Sequence, residues 1–371
     1  MKSLYFNGEH LAARILFTLA WSLIGGYLFS LIHLPLPWLL GSLAAVMAGS
    51  RIGKVRLYWP QQLRNAGLII VGYTIGLSFT KQAIKEMVLQ LPLMLSVTVL
   101  LLLASAAFAW VVSKATGINY PTILTGSIPG GLSQMVTLAE EMKGIDLTVV
   151  TFIQVTRLLM IVFCIPLLVF SPLFHGPGTG EAVRHTAGSW HDLSPNIFLF
   201  AVMCTVFGML GKKLKLPTPF LLGPILATCL LNLAGVGGSR LPQLFIDISQ
   251  ILMGAYLGLM MKPEQLKNKA RVSSLSILTG AGLITASFFL GFILVKLYGA
   301  SVVTSFLSVA PGGMDQMGLL AQEVHANLSV VSSYQMFRIF FILTAVPPVL
   351  RWLFKRRLPA AKQVNGKEGT P

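Results

Sequence analysis

Three stretches of this chain, Met87 to Ser113, Leu216 to Ser239 and Val272 to Val295, each run for more than twenty residues without a charged side chain. Apolar runs of about 18 residues or more are long enough to cross a bilayer core as helices. With 54% hydrophobic and 11% charged residues and a mean hydropathy of +0.76 over 371 residues, the sequence predicts an all-α polytopic integral membrane protein whose principal partner is the lipid bilayer. The first apolar run, Ile15 to Ile32, leads through LPLP into more apolar sequence, so it reads as a first transmembrane helix and not as a cleaved signal.

The formal charge of +16 raises the question of nucleic acid. Most of the Lys and Arg, however, lie in short clusters between apolar runs, as in cytoplasmic membrane loops. No direct nucleic-acid partner is expected. Cys164, Cys204 and Cys229 are isolated within apolar segments, and none of the six histidines forms a helical pair with a nearby carboxylate. Neither a disulfide framework, a metal site nor a cofactor is expected, and with no catalytic constellation visible neither is an enzyme.

Self-similarity organises the whole chain. IPGGLSQM at 128 to 135 is answered by APGGMDQM at 310 to 317, a shift of 182 residues. The same shift aligns LPLPWLLG (34 to 41) with LPTPFLLG (216 to 223), Pro60-Gln61 with Pro242-Gln243, and Gly72 and Gly76 with Gly254 and Gly258. After one deletion the shift is 181, matching Gln154 and Arg157 with Gln335 and Arg338. The chain reads as a tandem duplication, with residues 1–170 as the first repeat, 171–194 as a polar linker, and 195–371 as the second repeat with a basic tail.

Each repeat offers five long apolar segments, with the PGG region between the fourth and fifth. A crossing PGG region gives parallel halves of six spans; one that dips in and returns gives inverted halves of five. Positive charge favours cytoplasmic loops. With re-entrant PGG segments and both termini cytoplasmic, 21 Lys and Arg fall inside and 5 outside, against 16 and 10 for the crossing arrangement. The expectation is two inverted repeats of about five transmembrane helices, each with a PGG-broken re-entrant segment.

Irregular backbone at membrane depth must be buried in protein or line a watery cavity. Pro129, Gly130 and Gly131, with Gln134, and their copies Pro311, Gly312 and Gly313, with Gln316, place helix starts there. The proline suits a first turn and the glycines permit close approach. Unpaired N–H groups at two such starts would face the membrane middle, an arrangement that builds substrate sites in secondary transporters. A tight turn or a packing contact is the plainer alternative.

Arg157 and Arg338 fall about eleven residues into the last helix of each repeat, and Gln154 and Gln335 precede them by three. One polar stripe per helix must therefore face inward. The arginines either bind an anion or tie up carbonyls freed by a broken helix, and both roles are compatible. Asp315 replaces Ser133 beside the second PGG; it carries a coupling H+ or Na+, or else forms a salt bridge to Arg157 or Arg338. The two GxxxG spacings at Gly72/Gly76 and Gly254/Gly258 read as close helix packing.

GSIPGGLSQMVTLAEE, followed by Asp146, Val149, Gln154 and Arg157, together with LPLPWLLG and the duplication itself, resembles the membrane AbrB family. This is not the small soluble DNA-binding regulator of the same name. The resemblance implies a multi-pass integral protein of the bacterial inner membrane; the labels attached to the family are an ammonia monooxygenase and a regulator of gene expression. An oxygenase needs converging metal ligands, and none is visible in the sequence. A transcription factor needs a groove-reading module, and neither the linker nor the tail resembles one. The sequence therefore predicts a secondary transporter or permease for a small, anionic solute, with a membrane-embedded sensor or indirect regulator as the alternative.

Overall fold

The computed structural model describes residues 9–52, 57–142, 144–171, 188, 190, 193–260 and 269–355. Fifteen helices, and no strand, are found among the described residues. The first half holds α1 (Glu9–Leu31), α2 (Pro37–Ile52), α3 (Gln61–Leu77), α4 (Lys81–Leu89), α5 (Leu91–Thr116), α6 (Tyr120–Ser127), α7 (Leu132–Glu141) and α8 (Leu147–Val169). The second holds α9 (Ile197–Lys213), α10 (Pro219–Leu233), α11 (Gln243–Met260), α12 (Lys269–Tyr298), α13 (Val302–Val309), α14 (Met314–Glu323) and α15 (Leu328–Lys355).

Six helices are long and apolar enough to cross a membrane, within α1, α5, α8, α11, α12 and α15. The α2, α3, α9 and α10 helices, at 15 to 17 residues, reach about 25 Å or less at 1.5 Å per residue. Large apolar side chains are exposed along the outer helices, among them Leu16, Phe17, Phe198, Val202 and Phe289, while Ser42, Gln154, Arg157, Gln335 and Arg338 are buried. Apolar outside and polar inside is the distribution that lipid, not water, selects. The structure is thus that of a multi-pass, all-helical membrane protein.

One helix was not anticipated. Lys81–Leu89 forms α4, bent 86° from α3. Thr80 starts it by accepting from the Ala83 N–H, a side-chain cap at the first turn of the new helix.

The largest core cluster draws from both halves, with Leu39, Leu68, Ile75 and Ile161 packed among Leu221, Ile246, Phe306 and Met317. Two reciprocal crossings produce this mixing: α10 lies on α3, and α2 lies on α11. The GxxxG residues make both close. A Cβ on Gly72 would come within 2.6 Å of the Leu221 carbonyl oxygen, and one on Gly254 within 2.5 Å of that of Leu39. The LPxP turns leading into α2 and α10 also repeat: Leu36 (φ 48°) and Thr218 (φ 41°) are both left-handed, which is uncommon for residues bearing a Cβ.

Candidate functional site at the paired helix breaks

The α6 helix stops at Ser127 and α7 starts at Leu132; α13 stops at Val309 and α14 starts at Met314. In each break the residue before proline is extended, Ile128 at φ −61°, ψ 127° and Ala310 at φ −50°, ψ 133°. A proline sterically excludes the α region for the residue before it, and this ends the helix. Pro129 and Pro311 therefore terminate α6 and α13; they do not sit in the first turn of the following helix, where the sequence reading placed them. The glycine N–H then folds back, Gly130 to Ile128 O and Gly312 to Ala310 O, at 2.8 Å in each case.

Gly131 and Gly313 precede α7 and α14 and can offer no side-chain cap. In the second break Gln316 Oε1 accepts from the Gly313 N–H at 3.3 Å. The glycines of the pair also make room. A Cβ on Gly130 would lie 3.0 Å from Met135, and one on Gly312 2.6 Å from Met317 and 3.0 Å from Ile161 on α8. The second break thus packs against α8 one turn beyond Arg157. The Gln134 side chain lies outside the described residues.

A helix end leaves its last carbonyls without intrahelical donors. Here the Q-x-x-R stripes supply them. Gln154 Nε2 donates to Thr125 O at 3.2 Å and Ile128 O at 3.1 Å. Arg157 Nη1 donates to Ile128 O at 2.7 Å and Ser127 O at 3.3 Å, and its Nη2 to Gly130 O at 3.4 Å. Gln154 Oε1 in turn accepts from Arg157 Nη2 at 2.7 Å.

The second copy repeats the clip. Gln335 Nε2 donates to Leu307 O at 2.7 Å and Ala310 O at 3.1 Å. Arg338 Nη1 donates to Ala310 O at 2.6 Å and Val309 O at 3.2 Å, and its Nη2 to Gly312 O at 2.6 Å and to Gln335 Oε1. An i, i+3 spacing sets Gln and Arg on one helical face, and the cationic fork faces the negative end of the short helix it caps. Asp146 and Asn327 anchor the arrangement: each side-chain oxygen caps its own helix, α8 or α15, and each backbone N–H donates to the hydroxyl of Thr122 or Thr304 on α6 or α13.

These bonds assign the arginines' terminal nitrogens to neutral acceptors. Asp315 forms no salt bridge to Arg157 or Arg338; it lies in the first turn of α14, where a negative charge complements the helix dipole. Both guanidiniums are buried, at 6% and 3% exposure, and both Nε atoms are without a hydrogen-bond partner. Gly312, whose carbonyl Arg338 holds, packs against Ile161 one turn from Arg157 on α8, which brings the second clip beside the helix of the first. Two buried positive charges, one in each helix break and held only by neutral oxygens, favour a positive potential there.

At the far end of α14, about 15 Å away at 1.5 Å per residue, opens a cavity of about 570 Å3, lined in part by Thr74, Ser78, Arg240, His325, Asn327 and Ser329. No local pattern of residues announces it, because its walls come from four separate segments.

A family profile described as Transition state regulatory protein AbrB matches residues 38–354. Among known proteins the chain is 28% identical over 359 residues to an uncharacterized protein of Bacillus subtilis (strain 168), YhjN, covering 91% of this chain and 92% of that one. It is 26% identical over 325 residues to an Escherichia coli (strain K12) protein carried in its name only as a candidate regulator, AbrB, covering 88% and 92% respectively. A match that spans both helix breaks, both Q-x-x-R clips and the helices between them places this chain in the AbrB family.

Proposed function

We propose that the chain is a secondary transporter or permease for a small anionic solute, and not an enzyme. The site lies at the two helix breaks, with Arg157 and Arg338 supplying the positive potential, the starts of α7 and α14 supplying N–H donors, and Asp315 carrying the coupling H+ or Na+. In this reading residues 1–170 and 195–371 are inverted repeats of five spans joined by the linker at 171–194. The α6–α7 and α13–α14 pairs are re-entrant, and both termini are cytoplasmic at a bacterial inner membrane. The observation that carries it is the pair of buried guanidiniums without a carboxylate partner, one set in each helix break. The cavity beside Arg240 and His325 serves as an entrance at the outer end.

The decisive experiment is uptake into proteoliposomes of a panel of small carboxylates and inorganic phosphate. Uptake is expected with the native protein, to be lost in Gly130→Leu, and to lose its dependence on a proton or sodium gradient in Asp315→Asn. Saturable binding without uptake across the panel would instead support the second reading, a membrane-embedded sensor acting indirectly on gene expression. That reading draws on the regulatory descriptions attached to the family and to the Escherichia coli relative.

Topology has a simpler test. In a background lacking Cys164, Cys204 and Cys229, Gly180→Cys in the linker is expected to react with a membrane-impermeant maleimide added from outside intact cells. Protection there, with labelling only after permeabilisation, would instead require the crossing arrangement.

A further inference from the structure

The first turns of α3 and α10 begin side by side, and the last turn of α9 ends next to them. Between them is a cavity of about 260 Å3. Arg64 and Lys212 line it, with Gln62 and Asn65, and no carboxylate is among its lining residues. Neither helix start is closed by a side-chain hydrogen bond, so two positive dipole ends add to the two cations. Thr218, at the entrance to α10, is held at φ 41° and its Oγ1 is buried without a hydrogen-bond partner. A left-handed β-branched residue stores backbone strain, and here it does so without capping the helix it precedes.

The duplication supplies an internal control. At the equivalent junction of α1, α2 and α11, the turn and its left-handed residue are preserved, Leu36 at φ 48° standing for Thr218, and α2 packs on α11 as α10 packs on α3. The polar set is not preserved. Gln62, Arg64, Asn65 and Lys212 correspond, 182 residues away, to Leu244, Ile246, Asp247 and Ser30. The same backbone is thus built without cations and with an acid, so folding alone does not require the basic set at the α3–α10 junction.

The surroundings fit a ligand of the membrane surface. Phe198, Val202, Val206 and Met209 on α9 are exposed apolar residues, and they lead along that helix to Lys212 at the cavity. Arg64 is steadied by the Tyr256 ring, 5.0 Å from its guanidinium carbon. Basic pockets at the ends of transmembrane helices suit phosphate-bearing headgroups.

We propose that the cavity between the starts of α3 and α10 binds a phosphate group through Arg64, Lys212 and the two helix N-termini, presented by an anionic lipid headgroup or as the free ion. This assignment is independent of the solute site at the helix breaks.

The test is thermal unfolding of the full-length detergent-purified protein with phosphatidylglycerol, phosphatidylcholine or sodium phosphate added. Phosphatidylglycerol or phosphate is expected to raise the midpoint and phosphatidylcholine to leave it unchanged. Apparent affinity should fall at least tenfold in Arg64→Gln/Lys212→Gln and in Asn65→Asp, which installs the acid of the other copy, while Lys81→Gln/Lys85→Gln retains it. Stabilisation by the free ion, with competition against the lipid, assigns the site to phosphate; stabilisation by the lipid alone assigns it to the headgroup. The proposal is overturned if neither probe stabilises the protein, if phosphatidylcholine does so equally, or if Asn65→Asp binds as the native protein does. Asn65→Asp keeps the test decisive should the double variant not fold, and uptake of the transported solute remains a separate readout.

Discussion

Arg338→Gln is expected to lower the stability of the folded protein by about 3 kcal/mol or more and to abolish solute uptake. The guanidinium supplies donors to the carbonyls of Val309, Ala310 and Gly312; Ala310 O keeps its bonds from Gln335 and the Gly312 N–H, and a buried polar group left unsatisfied costs about 1–3 kcal/mol. Removing a buried charge relieves some desolvation, so the net effect is smaller than two full penalties. Arg338→Lys separates the two roles. An ammonium keeps the charge but lacks the planar fork that spans the break, so this variant should melt below the native protein yet retain measurable uptake. Arg157→Gln should follow the same order with a smaller loss, because its contact to Gly130 O is long at 3.4 Å. Thermal unfolding in detergent and uptake in proteoliposomes, measured on the same preparations, decide the matter; an Arg338→Gln protein with native melting and native uptake would remove both roles.

The second large effect belongs to the glycine crossings. Gly72→Leu and Gly254→Leu place side chains against backbone carbonyls of the crossing helix, Leu221 O at 2.6 Å and Leu39 O at 2.5 Å, with the Ser42 hydroxyl nearer still to Gly254. A flexible side chain can step aside, but a helix backbone cannot do so without moving the whole element, and overpacking costs about 1–3 kcal/mol, sometimes more. Each variant is expected to abolish the monodisperse folded peak in fluorescence-detected size exclusion. Gly237→Leu is the matched control, since no heavy atom lies within 4 Å of a Cβ there. A native elution profile for Gly72→Leu would show that the α3–α10 crossing is looser than the structure describes.

Much of this was legible in the sequence, for reasons that can be traced. Proline and glycine within apolar segments located the breaks because their backbone limits act locally. Gln154-Arg157 and Gln335-Arg338 announced inward faces because i, i+3 spacing is a property of one helix. GxxxG pointed to close packing for the same reason. What the residues could not disclose was partnership. Whether Arg338 meets Asp315 or a carbonyl depends on where α13 ends relative to α15, a tertiary matter, and the carbonyls prevailed. The α4 helix escaped notice because Lys81–Leu89 is short and charged, and a bend of 86° leaves no mark on hydropathy. The proline was assigned to the wrong side of the break because both a first turn and a position past a C-terminus suit it.

The reciprocal crossings of α2 on α11 and α10 on α3 have a consequence for descent and assembly. Each half offers a glycine-lined groove and a helix that fills the groove of the other, as the two subunits of an isologous dimer do. A half-length chain would leave both its groove and its inserting helix uncovered until it met a second copy. Two such halves in one chain would meet more often than two separate copies, since covalent connection raises the effective concentration of parts that already fit one another. Duplication followed by fusion would then have released the two surfaces from identity, and the contrast between Arg64 and Ile246, or Asn65 and Asp247, is what such freedom leaves behind.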